Sequence, residues 1–271
     1  CFWMRVYEIP EGSRISKGRA IQNLVNIEQD DRVKAFICTQ DLKDEDYINN
    51  HFVIMATKKG QVKKTSLEKY SRPRANGINA ITIREDDELL EAKLTNGNSQ
   101  ILLAVKSGKA IRFEESKTRP MGRSASGVRG ITLANQNDEV VGMVSVNDMD
   151  TNVLVVSENG FGKRSDLEDY RMTNRGGKGV KTISITEKTG TLVTLKNVSD
   201  EDDLMIINKS GIAIRMAVSD LRVMGRATQG VKLINLKEGD AIAAVAKVMK
   251  DDDDDLEDIT DIDVEGDTIS D

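Results

Sequence analysis

The sequence predicts an all-β protein made by stacking one four-stranded unit, and three observations carry that prediction. A glycine followed four residues later by a cation occurs four times: Gly60 with Lys64, Gly108 with Arg112, Gly160 with Arg164, and Gly211 with Arg215. Successive first glycines are 48, 52 and 51 residues apart, a period that marks one supersecondary unit repeated along the chain. A second glycine (Gly77, Gly127, Gly179, Gly230) follows each first one after 17, 19, 19 and 19 residues. An apolar alternating segment comes next, as in Gly127-Val128-Arg129-Gly130-Ile131-Thr132-Leu133.

The elements follow in order. The chain opens on Cys1-Phe2-Trp3-Met4-Arg5, which already reads as a strand, so a fragment of a longer polypeptide is expected. In this first unit Trp3 stands where the others carry a cation, and packing is expected of it. Residues 79–116 serve as the specimen unit. Ala80-Ile81-Thr82-Ile83 is a short strand, and residues 88–95 form a second, entered by the polar turn Glu85-Asp86-Asp87. Asn96-Gly97-Asn98 reads as a tight connection, because Asn-Gly readily takes positive φ. Residues 100–106 are an apolar third strand, Ser107-Gly108 a hairpin turn, and residues 109–114 the fourth strand. Four antiparallel strands in about 50 residues are what one propeller blade requires. The matching hairpin turns are Lys59-Gly60, Asn159-Gly160 and Ser210-Gly211, which gives the first glycine a local reason to recur.

Composition agrees. A hydrophobic fraction of 38% with only 4% aromatic suits many short strands sharing a thin core of Val, Ile and Leu. The formal charge of −6 averages two unlike parts. Residues 251–271 hold 12 acidic and no basic residues, so the body keeps 39 Lys and Arg against 33 Asp and Glu, a charge of +6. The expected division is a binding domain over residues 1–250 and a disordered acidic tail over 251–271, read either as modulating the binding of a polyanion or as a solubilising appendage. Cys1 and Cys38 are too few for a disulfide framework or a metal site and favour a reducing cytosol. No signal peptide and no apolar run near 18 residues is present, so no membrane span is expected.

The cation four residues after each first glycine interrupts a strand of otherwise apolar character, as in Ala110-Ile111-Arg112-Phe113. A solvent-facing or edge strand tolerates Lys or Arg anywhere. Recurrence in every unit instead points to a periodic positive surface, with Lys63 and Lys163 beside two of its members. The loops between the paired glycines add Arg72 and Arg74; Arg119 and Arg123; Arg171, Arg175 and Lys178; Arg222 and Arg226. Just past the second glycines stand Arg129, Lys181 and Lys232, a series that Asn79 breaks. An arginine stands four residues before Gly127, Gly179 and Gly230, and Arg14 stands likewise before Gly18, the matching glycine of the opening unit. Few aromatics interleave with these cations, which argues against stacking on single strands and for phosphate contact along duplex DNA.

The sharpest loop is Asn174-Arg175-Gly176-Gly177-Lys178-Gly179, where glycines let the backbone approach a phosphate that flanking cations neutralise. It resembles the Q-R-R-G-G-K-G box of the C-terminal domain of the bacterial DNA gyrase A protein. Val6-Tyr7-Glu8-Ile9-Pro10, Ala56-Thr57-Lys58-Lys59-Gly60, Asn159-Gly160-Phe161-Gly162-Lys163-Arg164 and Gly225-Arg226-Ala227-Thr228-Gln229-Gly230 also resemble that domain. The resemblance implies a six-bladed β-pinwheel whose blades exchange strands. It also implies an accessory, non-catalytic domain that bends and wraps duplex DNA around a basic rim and directs negative supercoiling. The parent would be an ATP-dependent type II topoisomerase of the bacterial cytoplasm. Its partners would be the remainder of the gyrase A protein and, through it, the gyrase B protein, with the isolated domain monomeric and without cofactor. Two departures matter. The family's strong box lies in the first blade, which is expected to be truncated at the N-terminus here. The box-like loop of a later blade has asparagine and one arginine where the family has glutamine and two basic residues. The C-terminal domain of topoisomerase IV, used for substrate choice, and a protein-binding β-propeller stand as alternatives.

No catalytic site is expected. His51 lies between Asn50 and Phe52 with no nucleophile motif beside it. Tyr70 and Tyr170 occupy one repeat position, in Leu67-Glu68-Lys69-Tyr70 and Leu167-Glu168-Asp169-Tyr170, which reads as blade packing. The acidic run at residues 251–255 lacks the glycine turn and spaced ligands of a calcium loop.

Overall fold

The computed structural model describes residues 1–13, 16–28, 31–147 and 150–249. After 3₁₀ turns at Val6–Glu8 and Ile21–Asn23 and one helix, α1 (Glu45–Asn50), the described chain is strands and turns. The first strands are β1 (Phe52–Thr57), β2 (Gln61–Ser66), β3 (Leu89–Thr95), β4 (Gln100–Val105) and β5 (Lys109–Glu114). Next come β6 (Val128–Arg129), β7 (Val140–Val146), β8 (Asn152–Ser157), β9 (Phe161–Asp166) and β10 (Val180–Lys181). The last are β11 (Leu192–Val198), β12 (Asp202–Asn208), β13 (Ala213–Ala217), β14 (Val231–Lys232) and β15 (Ile242–Met249).

They form four antiparallel sheets, ordered β3-β1-β2-β6, β10-β5-β4-β7, β11-β8-β9-β14 and β13-β12-β15. Strands β3, β7, β11 and β15 lie against one another from sheet to sheet, so each sheet runs from an inner strand to an outer edge. In the first three sheets that edge is a two-residue strand contributed by the following repeat. Val128 pairs with Val62, Val180 with Ala110, and Val231 with Gly162. Neighbouring blades therefore exchange strands. Each inner pair also carries a register shift beside its hairpin (Ala56/Thr57, Ala104/Val105, Leu192/Thr194, Ile207/Asn208), a bulge that increases local twist.

The repeat is phased differently from the expected unit. Residues 80–83 form no strand; instead the Cys1 amino group donates to the Ile78 carbonyl and the Ile78 amide donates back to Cys1, each at 2.9 Å. Residues 89–95 pair with β1 of the preceding repeat, not with β4. Asn96-Gly97-Asn98 therefore crosses between blades instead of closing a hairpin. Local turn chemistry cannot tell these apart, because Gly97 takes φ +88° in either case. The opening residues 1–5 form no strand either. Trp3 packs, partly buried, against the cluster of Val53, Met55, Leu67 and Tyr70.

The core is a series of thin layers between sheets, set by the period-2 alternation of strands buried on both faces. Ile101 and Leu103 of β4 face the sheet of β1 and β2, whereas Leu102 and Ala104 face that of β8. Both glycine series follow from this stacking. The hairpin-turn carbonyls of Gly60, Gly108 and Gly160 accept amides of the next repeat, from Gly130, Thr182 and Leu233, at 2.8–2.9 Å. At the second glycines the returning chain touches the preceding blade's backbone. Gly179 has φ +71°, and a Cβ there would sit 2.5 Å from the Ala110 carbonyl oxygen.

Candidate nucleic-acid interface

The cations divide by depth. Lys64, Arg112 and Arg164, expected at the surface, are 4%, 6% and 7% exposed, and Lys63 and Lys163 are fully buried. These five are corrected from phosphate contacts to internal struts, since a buried charge must find partners inside the protein. Lys64, Arg112 and Arg164 each reach the short 3₁₀ turn, or the residue closing it, that ends the following repeat's hairpin. Lys64 Nζ lies 2.8 Å from Glu115 Oε1, in the turn Glu115–Lys117, and sits over the Phe52 ring. Arg112 donates through Nη1 to the carbonyls of Leu167 (2.7 Å) and Tyr170 (3.1 Å), and through Nε to Gln100 Oε1 (2.7 Å). Burial holds its pKa below the usual arginine value, against the pull of Glu168. Arg164 donates to the Leu221 carbonyl and pairs with Asp200. Parallel bridges at the same residues (Lys64 with Pro120, Arg112 with Met172, Arg164 with Val223) lay the next repeat's loop alongside. Arg215, in the last sheet, is exposed and pairs with Asp203 at 2.7 Å.

The remaining sites lie in the loops and at the outer sheet edges. Arg72, Arg74, Arg119, Arg171, Lys178 and Arg222 are exposed. So are Arg129, Lys181 and Lys232, each the second residue of an outer two-residue strand. In each of those strands the preceding valine turns partly inward, so alternation alone points the cation outward.

Arg123, Arg175 and Arg226 are half-buried. Two of them are partly engaged by backbone: Arg175 donates to the Lys117 and Arg129 carbonyls at 2.9 and 3.1 Å, and Arg226 to Lys181 at 2.8 Å. The box-like loop is thereby laid on the preceding repeat's outer edge. The Gly176 amide donates to Gly130 at 2.6 Å, and Thr132 donates to both Gly176 and Gly177. Asn174 and Lys178 remain exposed, and Gly179 closes the loop against Ala110.

One repeated group escaped the sequence reading. Asp87 Oδ1 accepts the Lys59 amide (2.8 Å), Asp138 Oδ1 the Ser107 amide (3.0 Å), and Asp240 Oδ1 the Ser210 amide (3.3 Å). Each carboxylate clips a hairpin turn, and in the third repeat the Thr189 carbonyl takes that place on Asn159 at 3.0 Å. The signal was available as an aspartate 27, 30 or 29 residues after the first glycine.

Elsewhere the chemistry is structural. Tyr170 is fully buried with its hydroxyl 2.5 Å from Thr182 Oγ1, and burial pushes its pKa up to about 12. Tyr70 is 3% exposed and its pKa is likewise raised by burial. His51 Nδ1 lies 2.8 Å from the Tyr47 carbonyl. Among the described residues no group of three His, Cys, Asp or Glu gathers to hold a metal, and no helix is long and apolar enough to cross a membrane. Residues 251–271, with their acidic run, and Arg14 lie outside the described residues.

The chain is 46% identical over 250 residues to the gyrase A protein of DNA gyrase from Staphylococcus aureus strain MRSA252, covering 92% of this chain and 28% of that protein. The same values hold for the gyrase A protein of strain NCTC 8325 / PS 47. The chain thus spans little more than a quarter of the length of these relatives. Its fold is similar to the C-terminal domain of DNA topoisomerase IV, with TM-score 0.80 and 24% identity over 90% of this chain and 74% of that one. It is also similar to the DNA gyrase A C-terminal domain, with TM-score 0.74 and 22% identity over 86% and 76%. The family described as DNA gyrase C-terminal domain, beta-propeller, matches residues 1–40, 51–96, 100–147, 151–199 and 202–249, five consecutive repeats where the described residues form four sheets. On that match over nearly the whole body, the chain belongs to the DNA gyrase C-terminal domain family.

Proposed function

We propose that this domain binds duplex DNA without marked sequence preference and bends it around the outer edges of its blades. The observation that carries the reading is the equivalent placement of exposed Arg129, Lys181 and Lys232 on three successive outer strands. Flanking loops add Arg72, Arg74, Arg119, Arg171, Lys178 and Arg222. DNA stiff over roughly 150 base pairs resists tight bending, so contacts have to recur along the path, and one cluster per blade supplies them. The repeats are read as part of a six-bladed disc, with residues 1–250 as the binding unit and residues 251–271 competing with phosphate for its cations. Identity to gyrase A proteins supports wrapping in aid of negative supercoiling over the substrate-choice role of a topoisomerase IV domain. The whole protein would then be an ATP-dependent type II topoisomerase of the bacterial cytoplasm, working with a gyrase B protein.

A salt titration with duplex DNA tests the reading. With five of the eighteen cations withdrawn into the interior, about six phosphates are expected to be neutralised. Log K should then fall against log salt with a slope of roughly −5. A slope near zero, or tight binding to a single sequence, refutes it.

A further inference from the structure

Two of the buried cations do something the strut series does not explain. The residue three after the first glycine is Lys63 and Lys163 in alternate repeats, but Ile111 and Ile214 in the other two. The same alternation holds ten residues after it, where Tyr70 and Tyr170 alternate with Thr118 and Leu221. Apolar packing evidently suffices at this position, so the lysines are not required for the blade to form.

Their ammonium groups point at the outer loops. Lys63 Nζ donates to the Ala80 carbonyl at 2.6 Å and to the Arg123 carbonyl, joining loops of two repeats. The Tyr70 hydroxyl shares the Ala80 acceptor at 3.3 Å. Lys163 Nζ donates to the Gly225 carbonyl at 2.5 Å, one residue before Arg226, whose amide in turn donates to Asp169 at 3.3 Å. Both lysine side chains are fully buried, yet both end on the backbone of the loops that carry Arg119 with Arg123 and Arg222 with Arg226.

We propose that Lys63 and Lys163 are positioning residues for polyanion binding, each holding the next blade's cationic loop in the shape that meets a phosphate backbone. The inference rests on the DNA-binding reading above. It has a signature that plain packing lacks. Burial, with Arg123 beside it, draws the Lys63 ammonium down to about 8. Burial, with Arg226 beside it and Asp169 opposing, does the same to Lys163, also to about 8. A phosphate backbone on the adjacent loop favours the charged form, so DNA binding takes up protons above pH 8. Affinity should fall as pH rises through that range.

The test uses the 271-residue chain carrying Lys63→Ile, Lys163→Ile or both, substitutions the protein's own Ile111 and Ile214 show to be compatible with a blade. Lys→Met at the same sites guards against misfolding of the branched variants. A labelled duplex of 40 or so base pairs is titrated at low salt at about pH 7 and about pH 9.5. The double variant should bind about fivefold more weakly at pH 7, and its pH dependence should be at least about threefold flatter than that of the unaltered chain. In parallel, without DNA, amide exchange of residues 119–127 and 222–230 should speed by about tenfold. Unchanged exchange in both loops overturns the positioning role whether or not DNA binds. Faster exchange with unchanged affinity and pH profile overturns its link to polyanion binding. Absence of duplex binding by the unaltered chain removes the DNA reading itself.

Discussion

Replacing Arg112 by methionine separates a strut from a contact. Methionine keeps an unbranched apolar stem but removes the donors that satisfy Leu167 and Tyr170, whose carbonyls lie at 2.7 and 3.1 Å, and Gln100 at 2.7 Å. The Leu167 carbonyl keeps the Tyr170 amide at 3.1 Å and Gln100 is half-buried, so only the Tyr170 carbonyl is orphaned. An orphaned buried acceptor costs about 1–3 kcal/mol and each of the other two lost hydrogen bonds about 0.5–1.5 kcal/mol, a gross loss of about 2–6 kcal/mol. Relief of the guanidinium's desolvation and some shift of the turn toward water offset part of this, leaving about 1–4 kcal/mol. For a chain of this size 1 kcal/mol moves the midpoint by about 2–4 °C, so Tm should fall by roughly 3–15 °C. Thermal unfolding followed by circular dichroism reads this, with Arg119→Gln as an exposed control expected to shift Tm by less than about 2 °C. Affinity of the folded Arg112→Met protein for duplex DNA should stay within about twofold of the unaltered chain. An unchanged Tm together with a large loss of DNA affinity would refute the strut and restore the surface role read from the repeat.

Three further outcomes follow from the same geometry. Gly179→Ala forces a Cβ to 2.5 Å from a backbone oxygen at φ +71°, and should cost more than about 2 kcal/mol in a denaturant titration, whereas Gly122→Ala, with nothing within 4 Å, should be near neutral. The triple variant Arg129→Gln, Lys181→Gln, Lys232→Gln should leave Tm almost unmoved and make the salt slope of DNA binding shallower by roughly 3. Because Lys163 sits at about 8 in the folded protein against about 10.5 in the unfolded chain, the unfolded state binds more protons between those values. Its folding penalty is full below pH 8 and fades above it, so stability relative to Lys163→Ile should rise between pH 8 and pH 10; a flat difference in paired denaturant titrations would contradict the burial.

The blade architecture was legible because its determinants are local. Hairpin glycines at Gly60, Gly108 and Gly160 need positive φ, at +82°, +81° and +79°, and the two faces of β4 alternate without interruption. Blade membership was not legible, because the strand that completes a sheet is chosen by stacking between repeats. Nothing within residues 89–95 says that Leu94 will pair with Val53 of the preceding repeat and not with its successor β4. The outer strands show the same limit in reverse: Val128–Arg129 is two residues long, too short to announce itself, yet it joins two blades.

The repeated cation shows why periodicity alone could not separate surface from interior. A position that recurs in every blade is selected by whatever recurs in every blade, and that includes the junction between blades as much as the ligand path outside them. The junction here ends at a 3₁₀ turn: the Leu167 carbonyl already accepts the Tyr170 amide within it, whereas the Tyr170 and Leu221 carbonyls, past the end of so short a helix, take their donors from the preceding blade. A long cationic side chain from the preceding blade meets that need, and arginine's fork meets two carbonyls at once, as Arg112 does with Leu167 and Tyr170. Lys64 has a single point charge, and its partner is correspondingly a carboxylate, Glu115, which also accepts from Thr95 and the Ser99 amide at 2.8 and 3.2 Å. Outward-facing Arg129, Lys181 and Lys232 meet no such internal need, since each stands beside a valine that already anchors its strand. Their charge faces solvent, on the path that the proposed DNA contact would follow.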